Sequence, residues 1–238
     1  MEHKMMQVFA ALMVFLALSF QPVLSQVVIS KTGCGTTKQC VQDPDTCDPA
    51  GTTTCLFGSA RPTALKPPNG IDLAFELSGN PVNNSGYIAM RLTKSQSDGS
   101  MIFVCGRNSS NNGSFISFST TYNTTSGNSN DTLAKTMTSI QNTIDGGSLK
   151  CTFTVAGLNA TTDAAFLRAA DTTYIIGIAS GQLVGGSLSS FPPFKLGNAT
   201  DFSIFLNTTV PGGANRPFYS NAVLPLVSFL TLSILTFA

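Results

Sequence analysis

The sequence contains a single histidine, His3, close to the start of the chain. Ser-His-Asp catalysis, Cys-His catalysis and His-based metal centres all need an imidazole, so a mature chain without His3 excludes them. Charged residues are also scarce, at 11% of the chain with a formal net charge of +1. This balance predicts neither nucleic acid nor an acidic membrane surface as a partner. Paired carboxylates, a Gly-rich phosphate loop and a basic aromatic patch are missing too, so we predict no catalytic residue.

The N-terminal end has the pattern of a secretory signal peptide. Lys4 precedes an apolar run over residues 8–18, and residues 22–25 resemble a small-residue cleavage site. The pattern predicts a signal peptide over residues 1–25, which removes His3 with it. The apolar run is shorter than the roughly 20 residues needed to span a bilayer, which disfavours a retained anchor.

The C-terminal end predicts a glycosylphosphatidylinositol (GPI) attachment signal over residues 211–238. Small residues are followed by a polar spacer, residues 215–221, and an apolar tail with no Lys or Arg after it. The candidate attachment residues are Gly212, Gly213 and Ala214, with Asn215 and Ser220 as alternatives. The alternative is a single transmembrane helix, which is disfavoured by Pro225, by the length of the tail and by the missing positive flank. We expect the outer leaflet of the plasma membrane, at the cell surface, as the location.

Eight Asn-x-Ser/Thr acceptors indicate a secreted, heavily glycosylated surface. Each acceptor that is used has to lie on an exposed loop or at an outward strand position. The acceptors are Asn83, Asn108, Asn112, Asn123, Asn130, Asn159, Asn198 and Asn207.

Six cysteines follow the predicted signal peptide, which in an oxidising compartment predicts three disulfides with 15 formal pairings. They are Cys34, Cys40, Cys47, Cys55, Cys105 and Cys151. The first four predict a cross-linked lobe over residues 26–60, packed on the domain that follows. Zinc is disfavoured because these four lack a C-x-x-C spacing. Asp43, Asp45 and Asp48 form an acidic cluster that matches no calcium loop, and solvated turn carboxylates are the simpler interpretation.

From Gly70 onwards, short apolar runs of period two alternate with Gly, Asn and Ser clusters, which is typical of strands joined by turns. About seven strands are predicted, which favours an antiparallel sandwich over residues 61–210. Cys105 and Cys151 lie in two of these strands, and we expect them to bond to each other. Only residues 131–144 could be helical. The predicted strands cover residues 71–77, 87–92, 101–105, 115–122, 149–155, 174–179 and 202–206.

The chain resembles the extracellular DOMON domain of ferric-chelate reductase-like proteins. The resemblance rests on the four-cysteine segment with Asp43-Pro44 and Cys47-Asp48-Pro49, on the segments 75–79 and 86–89, and on Phe103-Val104-Cys105 and residues 174–181. It covers residues 33–206 and implies an all-β, immunoglobulin-like antiparallel β-sandwich with a disulfide-rich N-terminal lobe.

The resemblance also implies a haem b cofactor, which some family members bind through a methionine and a histidine. Met90 and Met101 are the candidates for the methionine, although a methionine on an apolar strand is usually a core residue. The histidine has no counterpart after His3. We therefore expect no cofactor and a non-enzymatic module that binds an extracellular protein or a small ligand. The alternative is an accessory haem-binding or electron-transfer domain that serves ferric-chelate reduction beside a separate membrane cytochrome.

Overall fold

The structure, a computed structural model, describes residues 26–51, 55–67, 70–81, 86–94, 100–108, 113–122, 129–130, 135–159, 171–184, 187–188 and 191–206. All of them belong to one unit, Met1–Thr208. The predicted signal peptide and the GPI signal lie outside the described residues. Within the described part, no helix has the length and apolar composition needed to cross a bilayer.

The described strands form two antiparallel sheets packed as a sandwich, which confirms the predicted fold class. The first sheet has five strands in the order β1-β2-β3-β9-β8. The second has the order β11-β10-β4-β5-β6-β7, and β12 and β13 also pair with β10. The strands are β1 Gln39–Asp43, β2 Leu56–Leu65, β3 Ile71–Gly79, β4 Gly86–Thr93, β5 Ser100–Asn108, β6 Ser114–Tyr122, β7 Ser129–Asn130, β8 Thr138–Asp145, β9 Ser148–Leu158, β10 Thr173–Val184, β11 Ser187–Leu188, β12 Lys195–Leu196 and β13 Thr200–Asp201.

The main core lies between the sheets, where the period-two pattern places the inward residues. Phe75 of β3, Phe103 of β5 and Phe153 of β9 meet at its centre, with ring centroids 5.0–5.6 Å apart. The expected Cys105–Cys151 disulfide is present beside them and joins β5 of one sheet to β9 of the other. Cross-sheet packing and a covalent link therefore hold the same region together.

One hydroxyl in this core lacks a hydrogen bond. Tyr174 is 1% exposed, and its phenol oxygen has no partner within the described structure. Burial, with a smaller contribution from Asp171, raises the pKa of Tyr174 above its ordinary value. The side chain thus stays neutral and contributes mainly apolar packing against Phe202.

The one stretch that could have been helical is a strand. Residues 138–144 belong to β8, while residues 131–134 lie outside the described part. Its β-branched residues favour a strand, and the Gly146-Gly147 turn, with Gly146 at φ +55°, joins it to β9 as a hairpin.

The predicted strand at residues 202–206 is a 3-10 helix, Phe202–Leu206. Asp201 accepts hydrogen bonds from the backbone N–H and the hydroxyl of Ser203, in the manner of a helix cap. Phe202 and Phe205, three residues apart, both turn inward, which matches the three-residue repeat of this helix.

The N-terminal cysteine-rich region is continuous with the five-stranded sheet. It contributes β1 and the first half of β2, so the predicted boundary after residue 60 lies inside β2. Disulfides Cys34–Cys40 and Cys47–Cys55 cross-link it. A small apolar cluster of Val27, Ile29, Cys47 and Phe57 packs separately from the main core.

Candidate binding groove

A groove of about 280 Å³ lies on the outer face of the five-stranded sheet. Register pairs Arg61 of β2 with Ala74 of β3, and Ala74 with Thr154 of β9. The next row runs from Glu76 through Thr152 to Gln141 of β8. We call this feature the Ala74 groove, and it spans three strand spacings, or about 14 Å.

The hollow exists because Ala74 is the smallest residue in its row. Larger side chains stand on both sides, Arg61 towards β2 and Thr154 towards β9. The backbone of β3 and β9 forms the floor, since Phe75 and Phe153 send their rings into the core. A bulky side chain in place of Ala74 would fill the groove without entering the core.

A β-bulge shapes the wall at β8. Pairing with β9 shifts register between Thr138 and Gln141, and Ser139 inside this irregularity has φ +52°. A positive φ is uncommon for a residue other than glycine, and such conformations cluster at functional sites. Thr138 and Thr154 fix the bulge, because their hydroxyl oxygens lie 2.8 Å apart and each hydroxyl also reaches the other residue's carbonyl.

A buried lysine forms an ion pair with Glu76, one of the residues that line the groove. The Nζ of Lys38, whose side chain is 6% exposed, lies 2.6 Å from Oε2 of Glu76 and donates to the carbonyl of Ser30 at 2.7 Å. The hydroxyl of Ser59 donates to the same carboxylate oxygen at 2.7 Å, and Lys38 also lies over the ring of Phe57. The cysteine-rich region is thereby tied to the sheet, and the charge of Glu76 is balanced.

Arg61 of β2 is available to a ligand. Its side chain is exposed, and it forms no hydrogen bond or ion pair within the described part of the chain. The other lining residues with uncharged polar side chains are Thr152 and Thr154 of β9 and Ser139 and Gln141 of β8. Among the described residues, the groove therefore offers the unpaired guanidinium of Arg61 and several hydrogen-bonding groups, and no nucleophile in its lining is paired with a base.

The outer face of the eight-stranded sheet is apolar and covered. Residues 191–196 pack over it, with Phe191 against Tyr87 and Phe194 within 5.9 Å of the Arg91 guanidinium. Arg91 is 7% exposed, and its Nε donates to the hydroxyl of Ser100 at 2.8 Å. Burial lowers the pKa of Arg91 from its usual value, while nearby Tyr122 opposes this change. Burial also raises the pKa of Tyr87 to about 12.

The methionines predicted as haem candidates lie on the core side of their strands. Met90 is fully buried and packs against Gly58, and Met101 is half-buried against the same core. Neither faces the Ala74 groove, and the described residues contain no histidine to complete an axial pair. These residues do not fit a haem.

Two of the acidic residues near the first cysteines have partners within the fold, one in a local turn and one in an ion pair. Asp48 accepts a hydrogen bond from the backbone N–H of Ala50, and Asp45 lies 3.5 Å from the Nζ of Lys195. Within the described residues, no group of three His, Cys, Asp or Glu side chains could hold a metal ion.

Few of the predicted modification sites are described with side chains. Asn198 is exposed, whereas Asn108 and Asn159 are half-buried. Asn130 is placed by its backbone in β7. The other acceptors (Asn83, Asn112, Asn123 and Asn207) and the attachment candidates Gly212, Gly213 and Ala214 lie outside the described residues.

Sequence reasoning found only part of the groove. The alternation of β3 and β9 already predicts Glu76, Thr152 and Thr154 on the outward side. Arg61 and Lys38 were missed because β1 and β2 were not predicted. A usable signal was Ser59 and Arg61 alternating with Gly58 and Ala60, but Pro62 interrupts it.

Comparison with known proteins supports the resemblance at low identity. The chain is 28% identical over 169 residues to a Danio rerio protein described as "Putative ferric-chelate reductase 1". The match covers 69% of this chain and 27% of the length of that protein. No protein-family model matches the chain, and no solved structure matches it. The chain is therefore similar to a segment of a ferric-chelate reductase-like protein, and the DOMON assignment stays a prediction.

Proposed function

We propose that this protein is a non-enzymatic, GPI-anchored surface glycoprotein whose β-sandwich binds a partner protein or a small ligand in the Ala74 groove. The observation that carries the proposal is the exposed, unpaired guanidinium of Arg61 beside a hollow lined by hydroxyl and amide groups. Such groups bind a polar ligand through hydrogen bonds and charge but supply no general base or nucleophile. The sequence pattern of both chain ends supports the placement at the cell surface.

Filling the groove tests this function. Ala74→Phe places a ring in the hollow, whereas Ala156→Phe adds the same ring to an exposed position of β9 outside the groove lining. Cells that display the full chain would be screened against arrays of extracellular proteins, glycans and small anions. We expect at least one ligand that binds the natural chain and the Ala156→Phe variant and is lost with Ala74→Phe. A screen in which every bound ligand survives Ala74→Phe would contradict the proposal.

The anchor and the absence of haem need separate measurements. Phosphatidylinositol-specific phospholipase C should release the protein from cells, and continued retention would indicate a transmembrane tail. The purified protein should lack a Soret band. A Soret band at stoichiometric haem would instead favour the accessory electron-transfer role beside a membrane cytochrome. That role further requires cell-surface ferric-chelate reduction to fall when this protein is removed.

A further inference from the structure

Arg61 lies near two carboxylates of the neighbouring strand and pairs with neither of them. Register places Arg61 of β2 opposite Ala74 of β3. The next outward positions of β3, on either side of Ala74, are occupied by Asp72 and Glu76. Such diagonal neighbours on an antiparallel sheet are about 7–8 Å apart, which a long side chain can span. Arg61 nevertheless forms no ion pair among the described residues, so other groups hold the two carboxylates.

Each of these carboxylates is held by a lysine. The Nζ of Lys38 lies 2.6 Å from Oε2 of Glu76. The Nζ of Lys66 lies 2.5 Å from Oδ2 of Asp72. A hydroxyl donates a second hydrogen bond to the first carboxylate, and a backbone N–H donates one to the second. Both acids are thus neutralised, and within the described structure the guanidinium of Arg61 keeps an uncompensated positive charge.

The size and lining of the Ala74 groove favour a side chain of a partner protein over a free small molecule. Small-molecule pockets enclose about 300–1,000 Å³ and are lined mainly by apolar groups. The Ala74 groove has about 280 Å³ and is lined mainly by polar side chains. Arginine is also enriched at the centres of protein interfaces. A carboxylate at the end of a short side chain suits this hollow, because its two oxygens match the fork of a guanidinium.

We propose that the Ala74 groove receives an acidic side chain, Asp or Glu, of an extracellular partner protein, and that Arg61 binds its carboxylate. Lys38 and Lys66 act as positioning residues, because they hold the two carboxylates of β3 away from the guanidinium. This inference rests on the proposed binding function of the groove and adds the chemistry of its ligand. A neutral ligand in the groove would leave that function intact and overturn this inference.

A matched pair of peptides tests the charge of the ligand. A short fluorescent peptide of alternating glutamate and glycine would be titrated with the purified full chain, beside the same peptide with glutamine for glutamate. We expect only the glutamate peptide to bind. Arg61→Gln should weaken this binding at least about tenfold through loss of the ion pair, and Ala74→Phe should abolish it. No binding, equal binding of both peptides, or binding unaffected by either substitution would overturn the inference.

Two controls separate a specific site from general attraction by positive charge. Lys150 faces outward on the same sheet, two residues before Thr152 in β9, and does not line the groove. Lys150→Gln should therefore change the affinity by less than about threefold. A loss equal to that of Arg61→Gln would overturn the inference. Free glutarate should bind more weakly than the peptide, and equal or tighter binding would overturn the assignment of a partner protein.

Releasing Glu76 tests the positioning role of Lys38. In Lys38→Met, the carboxylate of Glu76 is free to turn towards Arg61, so the glutamate peptide should bind about fivefold more weakly. Adding Glu76→Gln in the same chain removes the competing charge and should restore the affinity to within about twofold of the natural value. Damage to the fold would not be repaired by this second substitution. An unchanged Lys38→Met affinity, or failure of the rescue, would overturn the positioning role.

The reactivity of Arg61 gives a second measurement that needs no ligand. Phenylglyoxal should modify Arg61 more slowly in Lys38→Met than in the natural chain, because a guanidinium paired with Glu76 is less accessible. The double variant with Glu76→Gln should regain the natural rate. Equal rates in all three proteins would contradict the competition between Lys38 and Arg61 for this carboxylate.

Discussion

The five-stranded and the eight-stranded sheet share one core but present different outer faces. The outer face of the eight-stranded sheet buries Tyr87, Ala89, Ile102 and Val104 beneath residues 191–196. The outer face of the five-stranded sheet carries the Ala74 groove, lined mainly by polar side chains. The first face is built for stability, whereas the second remains open to a ligand.

Each face also carries an arginine, and the two arginines lie in different environments. Arg91 is buried under Phe194 and donates to Ser100. Arg61 is exposed, and its guanidinium has no partner among the described residues. The same residue type thus contributes to packing on one sheet and remains available for recognition on the other.

The largest expected difference between the faces is in stability. Ile102 is fully buried, so Ile102→Ala should lower the free energy of unfolding by about 3 kcal/mol. Thr152→Ala in the groove should change it by less than about 0.5 kcal/mol. Denaturant unfolding of the disulfide-intact protein measures both. Equal losses would mean that the groove face is packed like a core.

A smaller effect is expected at the ion pair between Lys38 and the groove residue Glu76. Glu76→Gln leaves the buried ammonium of Lys38 without its counter-charge and should cost about 2 kcal/mol. Lys38→Met removes the buried charge and leaves Glu76, whose side chain is 31% exposed, to be hydrated, so the loss should be below about 1 kcal/mol. The denaturant midpoints of the two variants, compared with that of the natural protein, measure both losses. A larger loss for Lys38→Met would contradict this asymmetry.

In the core between the faces, one substitution is expected to leave the free energy of unfolding unchanged or to raise it. The hydroxyl of Tyr174 is buried without a partner, so Tyr174→Phe should be neutral or stabilise the protein by up to about 1 kcal/mol. Thermal unfolding at neutral pH measures it. A loss of more than about 1 kcal/mol would reveal a hydrogen bond to this hydroxyl in solution.

The smallest expected difference between the two faces is in how the stability of the protein depends on pH. A hydrogen bond from Lys66 and the backbone N–H of Gly157 lower the pKa of Asp72, against the opposing effect of burial. Its stabilisation is therefore present above its unfolded pKa of 3.8 and is lost as pH falls through the lower folded pKa. Tyr87, with a folded pKa of about 12 against 10 when unfolded, loses its contribution between those values.

Two variants check these assignments by stability measurements across pH. Asp72→Asn should flatten the acid limb and leave the alkaline limb unchanged. Tyr87→Phe should do the reverse. An acid limb unaffected by Asp72→Asn would show that other carboxylates control it.

The fold was predictable where one pattern dominated. Strands β3 and β9 alternate regularly, which was enough to predict their inward faces. The inward position of Cys151, together with the apolar run that ends at Cys105, led to the expected Cys105–Cys151 bond. Strand β2 was not predicted, because Gly58 and Pro62 interrupt its pattern. Proline is tolerated there because β1 pairs only with Leu56–Ala60, so the missing N–H of Pro62 has no strand on that side.

The candidate site was less predictable because it combines residues that are distant in the sequence. Lys38 and Glu76 are separated by 38 residues and meet only after β1 and β2 have joined the sheet. The bulge at Ser139 has no local signal, since serine is not a residue that favours a positive φ. Register and curvature of the sheet, set by tertiary pairing, thus determine the groove.

The most direct test of the contrast between the two faces is arginine modification on intact cells. A membrane-impermeant phenylglyoxal reagent would be applied to the displayed protein, and modification of Arg61 and Arg91 would be measured by peptide mass spectrometry. We expect rapid modification of Arg61 and protection of Arg91 until the protein is unfolded. Equal rates at both positions in the native protein, or protection of Arg61 alone, would contradict the assignment of an open and a covered face.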